Sequence, residues 1–182
     1  MIVRSLLILS VSALPALAQA KAAPAADLAS PVASARTIWK QTADYLVAAA
    51  SDMPEGTYSF RPTPDVRTFG EVIGHVAGSQ NMFCALALGE PAPAEDAVEK
   101  AATTKAALIA ALRKSNDNCD RAYQQTDKAS TAEIDLFGNK RSRFYALMQN
   151  AAHDGEHYGN IVTYLRMNKM VPPSSKPRPN GN

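Results

Sequence analysis

The chain has 182 residues, which is enough for one domain with a full hydrophobic core, and 46% of them are hydrophobic. Its formal net charge is only +2, with both signs of charge interspersed along the chain. Such a composition lacks the basic patch that nucleic acid or anionic lipid would require, so we expect no nucleic-acid partner.

The N-terminus has the pattern of a secretory signal peptide. Met1–Arg4 is a short positive start, Ser5–Leu17 is an apolar run, and Ala18-Gln19-Ala20 matches a signal-peptidase site. The run is too short to span a bilayer comfortably, and a retained N-terminal anchor is the alternative. We therefore predict a signal peptide over residues 1–20, a periplasmic or secreted protein, and no stable membrane insertion after cleavage.

Two segments of biased composition bound the predicted domain. Residues 21–29 are rich in alanine and are predicted to be a disordered spacer. Residues 171–182 are rich in proline, serine, glycine and asparagine and are predicted to be a flexible tail. The domain itself is predicted to cover residues 30–170.

The first two predicted helices have clear boundaries. Ser30 is a suitable N-cap and Pro31 a suitable first residue for a helix that ends near Pro54. The second helix is predicted to begin with the capping box Thr68-x-x-Glu71 and to end at Gly89.

Two further helices are predicted over about residues 94–125 and 142–169, from their helical spacing of apolar residues. Gly155 and Gly159 lie inside the last helix, where glycine usually indicates close approach of a backbone or ligand. The best strand candidate, Glu133–Phe137, has no evident partner. The sequence therefore predicts an all-α domain.

All three histidines of the chain fit one metal site. His153 and His157 are four residues apart on the last helix, so their side chains stack on one face about 6 Å apart at Cβ. His75 lies near the middle of the second helix. Three neutral imidazoles would form an open site suited to Zn, Ni, Cu or Fe. The alternative is that these histidines are surface residues or hydrogen-bonded core residues.

The segment His153-Asp154-Gly155-Glu156-His157 also matches the zinc-protease signature H-x-x-E-H. Those enzymes take a third ligand from a downstream helix, and here only the predicted tail follows. The protease interpretation is therefore weak, and Asp154 and Glu156 are predicted to be solvated.

The last helix has apolar residues on two opposite sides, which predicts burial on both sides. We expect the histidine side to face the bundle and the other side to contact a second subunit, although the reverse arrangement is open. The stripe assigned to the dimer contact consists of Phe144, Leu147, Met148, Ala151, Tyr158, Val162 and Leu165.

Two blocks of the sequence resemble the motifs of the DinB/YfiT-like metalloenzyme family. The first block is Thr57–Pro64 followed by Arg67–His75, and the second is His153–Asn160 followed by Tyr164-Leu165-Arg166 and Pro172-Pro173. The resemblance implies a four-helix bundle of up-down-down-up order, often dimeric. It also implies a metal held at His75, His153 and His157.

The chain departs from the family at two places. Glu156 stands where many relatives have a histidine, and Tyr158-Gly159-Asn160 replaces Arg-Gly-Gln. Activities in the family include transferases and isomerases that use low-molecular-weight thiols. Such thiols are mainly cytosolic, so the predicted export of the protein weakens the case for a thiol cosubstrate.

The family's helix order also bears on the two cysteines. If the second and third helices are parallel, as the resemblance implies, Cys84 and Cys119 lie at one level and can form a disulfide. If those helices are antiparallel, the sulfurs lie at opposite ends of a bundle roughly 30 Å long. Two buried free thiols are the alternative.

The sequence thus favours an exported metalloprotein that binds one divalent transition metal, preferably Zn or Ni, and acts on an unidentified small molecule as a hydrolase or thiol-type transferase. No catalytic base is assigned. Candidates for outer contacts with the metal centre or substrate are Gln80, Asn150, Glu156 and Tyr164. The alternative function is a non-catalytic helical binding module or a dimeric scaffold.

Overall fold

The computed structural model describes residues 30–177. The predicted signal peptide (residues 1–20) and spacer (residues 21–29) therefore lie outside the described residues. Among residues 30–177, no helix combines the length and the apolar character needed to cross a membrane.

Helices α1 (Pro31–Asp52) and α2 (Phe69–Leu88) begin where their caps predict. The Ser30 side chain accepts a hydrogen bond from a backbone amide of the first turn of α1. At Thr68, both hydrogen bonds of the capping box are present. Helix α2 ends at Gly89, whose positive φ of 75° is readily adopted by a residue without Cβ.

The predicted third helix is two helices, so its prediction as one element was wrong. Helix α3 covers Ala97–Ala101, and helix α4 covers Lys105–Ala122. Between them, the Thr104 side chain accepts a hydrogen bond from the Ala107 amide and acts as a new N-cap. This cap separates the two helices despite the continuous apolar spacing.

A short helix and a β-hairpin follow, so the all-α prediction needs a small correction. Helix α5 (Asp127–Ser130) precedes strands β1 (Glu133–Leu136) and β2 (Asn139–Ser142), which pair antiparallel. The turn residues Phe137 and Gly138 have φ values of 54° and 74°. Positive φ at both central residues suits a tight hairpin turn. The predicted strand therefore has a partner, namely the segment immediately after the turn.

The last helix, α6 (Arg143–Met167), leads into a segment that packs against the domain. A 3-10 turn covers Pro173–Ser175, and the Ser174 amide donates to the Tyr158 hydroxyl at 2.9 Å. Lys176 forms an ion pair with Asp52 at 2.7 Å. Residues 171–177, which were predicted to belong to a flexible tail, therefore contact the domain at these two points; residues 178–182 are outside the described part.

Cys84 and Cys119 form a disulfide, with their Cα atoms 5.1 Å apart. Both residues are fully buried, and the disulfide joins the later part of α2 to the later part of α4. The early parts of the same helices meet at Gly70 and Leu108. Helices α2 and α4 therefore run in the same direction, and the alternative of two free thiols was wrong.

Helices α1 and α6 run opposite to α2 and α4. The Tyr164 hydroxyl, near the end of α6, donates to the Arg67 carbonyl just before α2. The Lys105 ammonium, at the start of α4, donates to the Met53 carbonyl at the end of α1. Each of α1 and α2 packs against both α4 and α6.

Both sides of α6 are buried within one protomer, because α1 and α2 both pack on this helix. Leu147, Ala151, Tyr158 and Leu165, which were predicted to contact a second subunit, are all buried in the protomer core. Phe144 and Val162 are partly buried, and Met148 is exposed over 42% of its surface. The assignment of this stripe to a dimer contact was therefore wrong for its buried members.

Candidate metal centre

Helices α2 and α6 bring the three histidines together. The Nε2 atom of His153 lies 3.2 Å from that of His75 and 3.1 Å from that of His157. If one nitrogen is taken from each of the three rings, these three atoms lie within 4.8 Å of one another. His75 lies in the first half of α2, His153 and His157 lie near the middle of α6, and the packing of these two helices brings the residues together. The predicted convergence of the two sequence segments is thus present.

The donor set fits a divalent transition metal. Bond lengths of about 2.0–2.1 Å to imidazole nitrogen give a nitrogen–nitrogen separation of about 3.3–3.4 Å in a tetrahedral site. The separations of 3.1 and 3.2 Å are close to that value. Imidazole nitrogens suit Zn, Ni, Cu or Fe better than Ca or Mg. The three-histidine group could therefore hold one such ion.

The environment keeps all three rings neutral, which is the form that binds metal. Burial is the largest cause in each case: it lowers the pKa of His75 and of His153, and it lowers the pKa of His157 to about 4. The Arg67 guanidinium lowers all three pKa values further by charge repulsion.

Glu95 lies at the edge of this group, although no sequence pattern had indicated it as a site residue. Its Oε1 atom is 3.9 Å from the Nε2 atoms of both His75 and His153. The Ser79 hydroxyl donates to the same carboxylate oxygen at 2.9 Å. Glu95 precedes α3, in the connection from α2, and is partly exposed.

Glu99, on α3, approaches the opposite nitrogen of the His75 ring. Its Oε2 atom is 3.8 Å from His75 Nδ1, and its Oε1 atom accepts a hydrogen bond of 3.0 Å from Arg67 Nε. A carboxylate beside the non-coordinating nitrogen is the usual partner that orients a metal-binding histidine. At 3.8 Å the two atoms are not hydrogen-bonded, so Glu99 would orient His75 only after a small movement of either side chain.

Two glycines of α2 allow the segment from Glu95 to Glu99, here called the acidic segment, to lie close to this helix. A Cβ atom at Gly74 would lie 2.9 Å from the Glu99 Cα atom, and a Cβ atom at Gly78 would overlap the Glu95 carbonyl oxygen. Their spacing of four residues puts both on the face of α2 that α3 covers. The spacing of these glycines was thus an overlooked sign that some segment covers this face of α2, although it does not identify which segment.

The glycines of α6 do not mark a close approach of another segment of the described chain. No atom within the described chain lies within 4 Å of a Cβ built at Gly155 or Gly159, and both residues are exposed. The expectation that a neighbouring backbone would approach them was wrong for this protomer.

Two of the predicted outer contacts belong to the core instead. Gln80 is fully buried and accepts a hydrogen bond of 3.2 Å from Trp39 Nε1. Asn150 is also fully buried and donates to the Tyr123 hydroxyl at 3.3 Å. Both side chains therefore serve the packing of Trp39 and Tyr123, whose rings stack with centroids 4.6 Å apart.

The acidic residues beside the α6 histidines differ sharply. Glu156 is exposed, as predicted, whereas Asp154 is fully buried and its predicted solvation was wrong. Within residues 30–177, neither carboxylate oxygen of Asp154 has a hydrogen-bond partner. Burial raises its pKa well above the usual value and so favours the neutral carboxylic acid.

A cleft of about 450 Å³ opens beside His157. Asp65, Arg67, Asn160 and Tyr164 are among its lining residues, so it offers one charged group of each sign and several neutral hydrogen-bonding groups. Tyr164, a predicted outer contact, thus lies next to the site, although its hydroxyl bonds to the Arg67 carbonyl. The cleft is large enough for a small molecule to reach the histidine group.

The structure thus combines a mostly helical fold with a three-histidine group between α2 and α6, which is the arrangement of a helical protein with a candidate metal site. A family model described as the DinB superfamily matches residues 38–161. The chain belongs to the DinB superfamily. No curated protein matches the sequence.

Solved structures share this fold. A DinB-like protein from Bacillus cereus is 20% identical, with a TM-score of 0.66 over 76% of this chain and 93% of its own. A DinB-like protein from Bacillus subtilis is 18% identical, with a TM-score of 0.62 over 76% of this chain and 93% of its own. A mycothiol-dependent maleylpyruvate isomerase is 18% identical, with a TM-score of 0.61 over 75% of this chain and 67% of its own.

Proposed function

We propose that this protein is an exported metalloprotein that binds one divalent transition metal, preferably Zn or Ni, through His75, His153 and His157. The observation that carries the proposal is the convergence of three Nε2 atoms from two antiparallel helices. Burial adds support, because it lowers the pKa of each ring and keeps its nitrogen free for a cation.

We further propose that the protein is a hydrolase or a thiol-type transferase acting on a small molecule. The metal, when bound, supplies a Lewis acid that polarises a substrate or lowers the pKa of bound water. The cleft beside His157 gives a substrate access, and its wall offers polar contacts from Asp65, Arg67 and Asn160. The thiol-transferase alternative is supported by the shared fold with the mycothiol-dependent isomerase.

The helix directions support the inference of a four-helix bundle with up-down-down-up order, made of α1, α2, α4 and α6. This proposal is supported by the pairs Cys84–Cys119 and Gly70–Leu108 between α2 and α4, and by the contacts of Lys105 with Met53 and of Tyr164 with Arg67.

Export to the periplasm or outside the cell is part of the proposal. The residue pattern of the first 20 residues supports it, as does the buried disulfide, because disulfides persist mainly in oxidising compartments. A homodimer is also proposed, as the family resemblance implies, with a contact other than the buried residues of the α6 stripe.

Elemental analysis of untagged protein tests the metal proposal. We expect about one metal ion per chain in the wild type and none in His153→Ala, because each histidine supplies one of three protein ligands. Gln149→Ala, one turn earlier on α6, is the matched control and is expected to keep the ion. Equal metal content in His153→Ala and wild type would contradict the proposal.

Screening of the metal-loaded protein then addresses the reaction. Hydrolysis of small esters, amides and phosphoesters is compared with transfer of low-molecular-weight thiols, with His153→Ala as the blank. Stoichiometric metal binding without activity in either screen would favour the binding module over the enzyme.

A further inference from the structure

We propose that Glu95 is a fourth protein ligand, so that the metal centre contains three imidazoles and one carboxylate. This assignment rests on the proposed function, since it requires the three-histidine group to bind a metal. It makes the connection between α2 and α3 a part of the metal centre. A mixed set of nitrogen and carboxylate donors is typical of Zn and other transition-metal sites.

The distances place Glu95 on the coordinating side of the group. Its Oε1 atom is equally far, 3.9 Å, from the Nε2 atoms of His75 and His153, and these nitrogens also face each other. The separation exceeds the edge of a tetrahedral site by only about 0.5 Å. A small rotation of the long glutamate side chain covers that difference. Glu99, by contrast, faces His75 Nδ1, the nitrogen on the far side of the ring.

The backbone of the acidic segment is fixed where this contact requires it. Gly78 lets the Glu95 carbonyl lie against α2, because any Cβ at this position would overlap it. The Ser79 hydroxyl, on the next residue, donates to the same Glu95 oxygen that approaches the histidines. Both interactions hold Glu95 one helical turn after His75 on α2.

The charges at the site leave Glu95 available for a cation. Arg67, the nearby guanidinium, is already paired with Glu99 at 3.0 Å. Among residues 30–177, the ion-pair contacts of Glu95 are with His75 and His153 alone. A divalent ion between these rings would therefore be the natural partner of this carboxylate, neutralising half of the ion's charge.

Metal affinity measured by competition with a chromophoric chelator tests the assignment. We expect Glu95→Gln to weaken Zn²⁺ binding by more than about 100-fold, which exceeds the 10–100-fold effect of losing an outer partner. Glu99→Gln changes the carboxylate that lies 3.8 Å from His75 Nδ1, and its loss of Zn²⁺ affinity is expected to stay within that 10–100-fold range. Glu156→Gln removes the same charge from an exposed position beside His157 and is expected to change affinity by only a few fold.

Cobalt spectra distinguish a ligand from a nearby charge. With Co²⁺ bound, the d–d bands of Glu95→Gln are expected to shift and change intensity, whereas those of Glu99→Gln and Glu156→Gln keep the wild-type form. Glu95→His replaces the oxygen donor with nitrogen and is expected to recover most of the affinity with a shifted spectrum. Circular dichroism of each metal-free variant checks that the fold is retained.

The outcomes separate this assignment from the proposed function. Wild-type protein that binds no metal would overturn both. Wild-type binding with unchanged affinity and an unchanged cobalt spectrum in Glu95→Gln would overturn the role of Glu95 alone. A loss of 10–100-fold without a spectral change would make Glu95 an outer partner and would likewise overturn its assignment as a ligand.

Discussion

Replacing a single glycine by alanine is expected to have opposite effects at two positions of this protein. Alanine is a better helix former than glycine by about 1 kcal/mol, so the intrinsic effect in mid-helix is stabilising. In Gly159→Ala the new methyl group meets no described atom within 4 Å, so this gain is retained. In Gly78→Ala the methyl group would overlap the backbone carbonyl of Glu95.

The size of the clash sets the expected difference. Overpacking costs about 1–3 kcal/mol, and the upper part of this range applies because the opposing atom belongs to backbone and not to a flexible side chain. After the helix-propensity gain, Gly78→Ala should lower the free energy of unfolding by about 1–2 kcal/mol. The two variants should therefore differ by about 2–3 kcal/mol, or roughly 4–12 °C in Tm.

Urea denaturation followed by circular dichroism, in the presence of a chelator, measures this difference without a contribution from metal. The urea concentration at the unfolding midpoint should be highest for Gly159→Ala, intermediate for the wild type and lowest for Gly78→Ala. The dependence of the unfolding free energy on urea concentration should be the same for all three proteins. If Gly78→Ala is as stable as Gly159→Ala, the acidic segment does not lie against α2, and the approach of Glu95 to the histidines is not enforced as described.

Three further outcomes are expected. Reduction of the Cys84–Cys119 disulfide, whose cysteines are 35 residues apart, should lower the free energy of unfolding by up to about 4 kcal/mol; equal urea midpoints with and without reductant would contradict this. Metal-free protein should lose stability as the pH falls from 6.5 to about 4, because His157 binds a proton in the unfolded state while its lowered pKa keeps it unprotonated in the folded state. The free energy of unfolding should fall by at most about 3 kcal/mol over this range, and by less in His157→Gln. Thr68→Ala, which removes the capping box of α2, should cost about 1 kcal/mol in urea melts, whereas Thr37→Ala, within α1, should cost less.

The sequence predicted those parts of the structure that local patterns determine. The caps at Ser30 and Thr68 fixed the starts of α1 and α2, and the spacing of His153 and His157 predicted their shared face. The break before Thr104 was missed, because the apolar residues on either side keep a helical period and give no sign of a new cap.

Features that depend on contacts between distant segments were not predicted. Glu95 and Glu99 reach His75 only because Gly74 and Gly78 let another segment lie on α2, and a glycine in a helix does not say which segment approaches. Indeed, the glycines of α6 have open space beside them within the described chain. The burial of Asp154 was missed for the same reason, since it depends on how the neighbouring helices cover α6.

Helix α2 is joined to its two neighbours by cross-links of different chemistry. Cys84 ties it covalently to α4, and the proposed ion at His75 would tie it to α6. A reducing agent would therefore release one side of this helix and a chelator the other. Each treatment alone should leave one attachment, so the steepest loss of protection against amide exchange in α2 should come only when both agents are present.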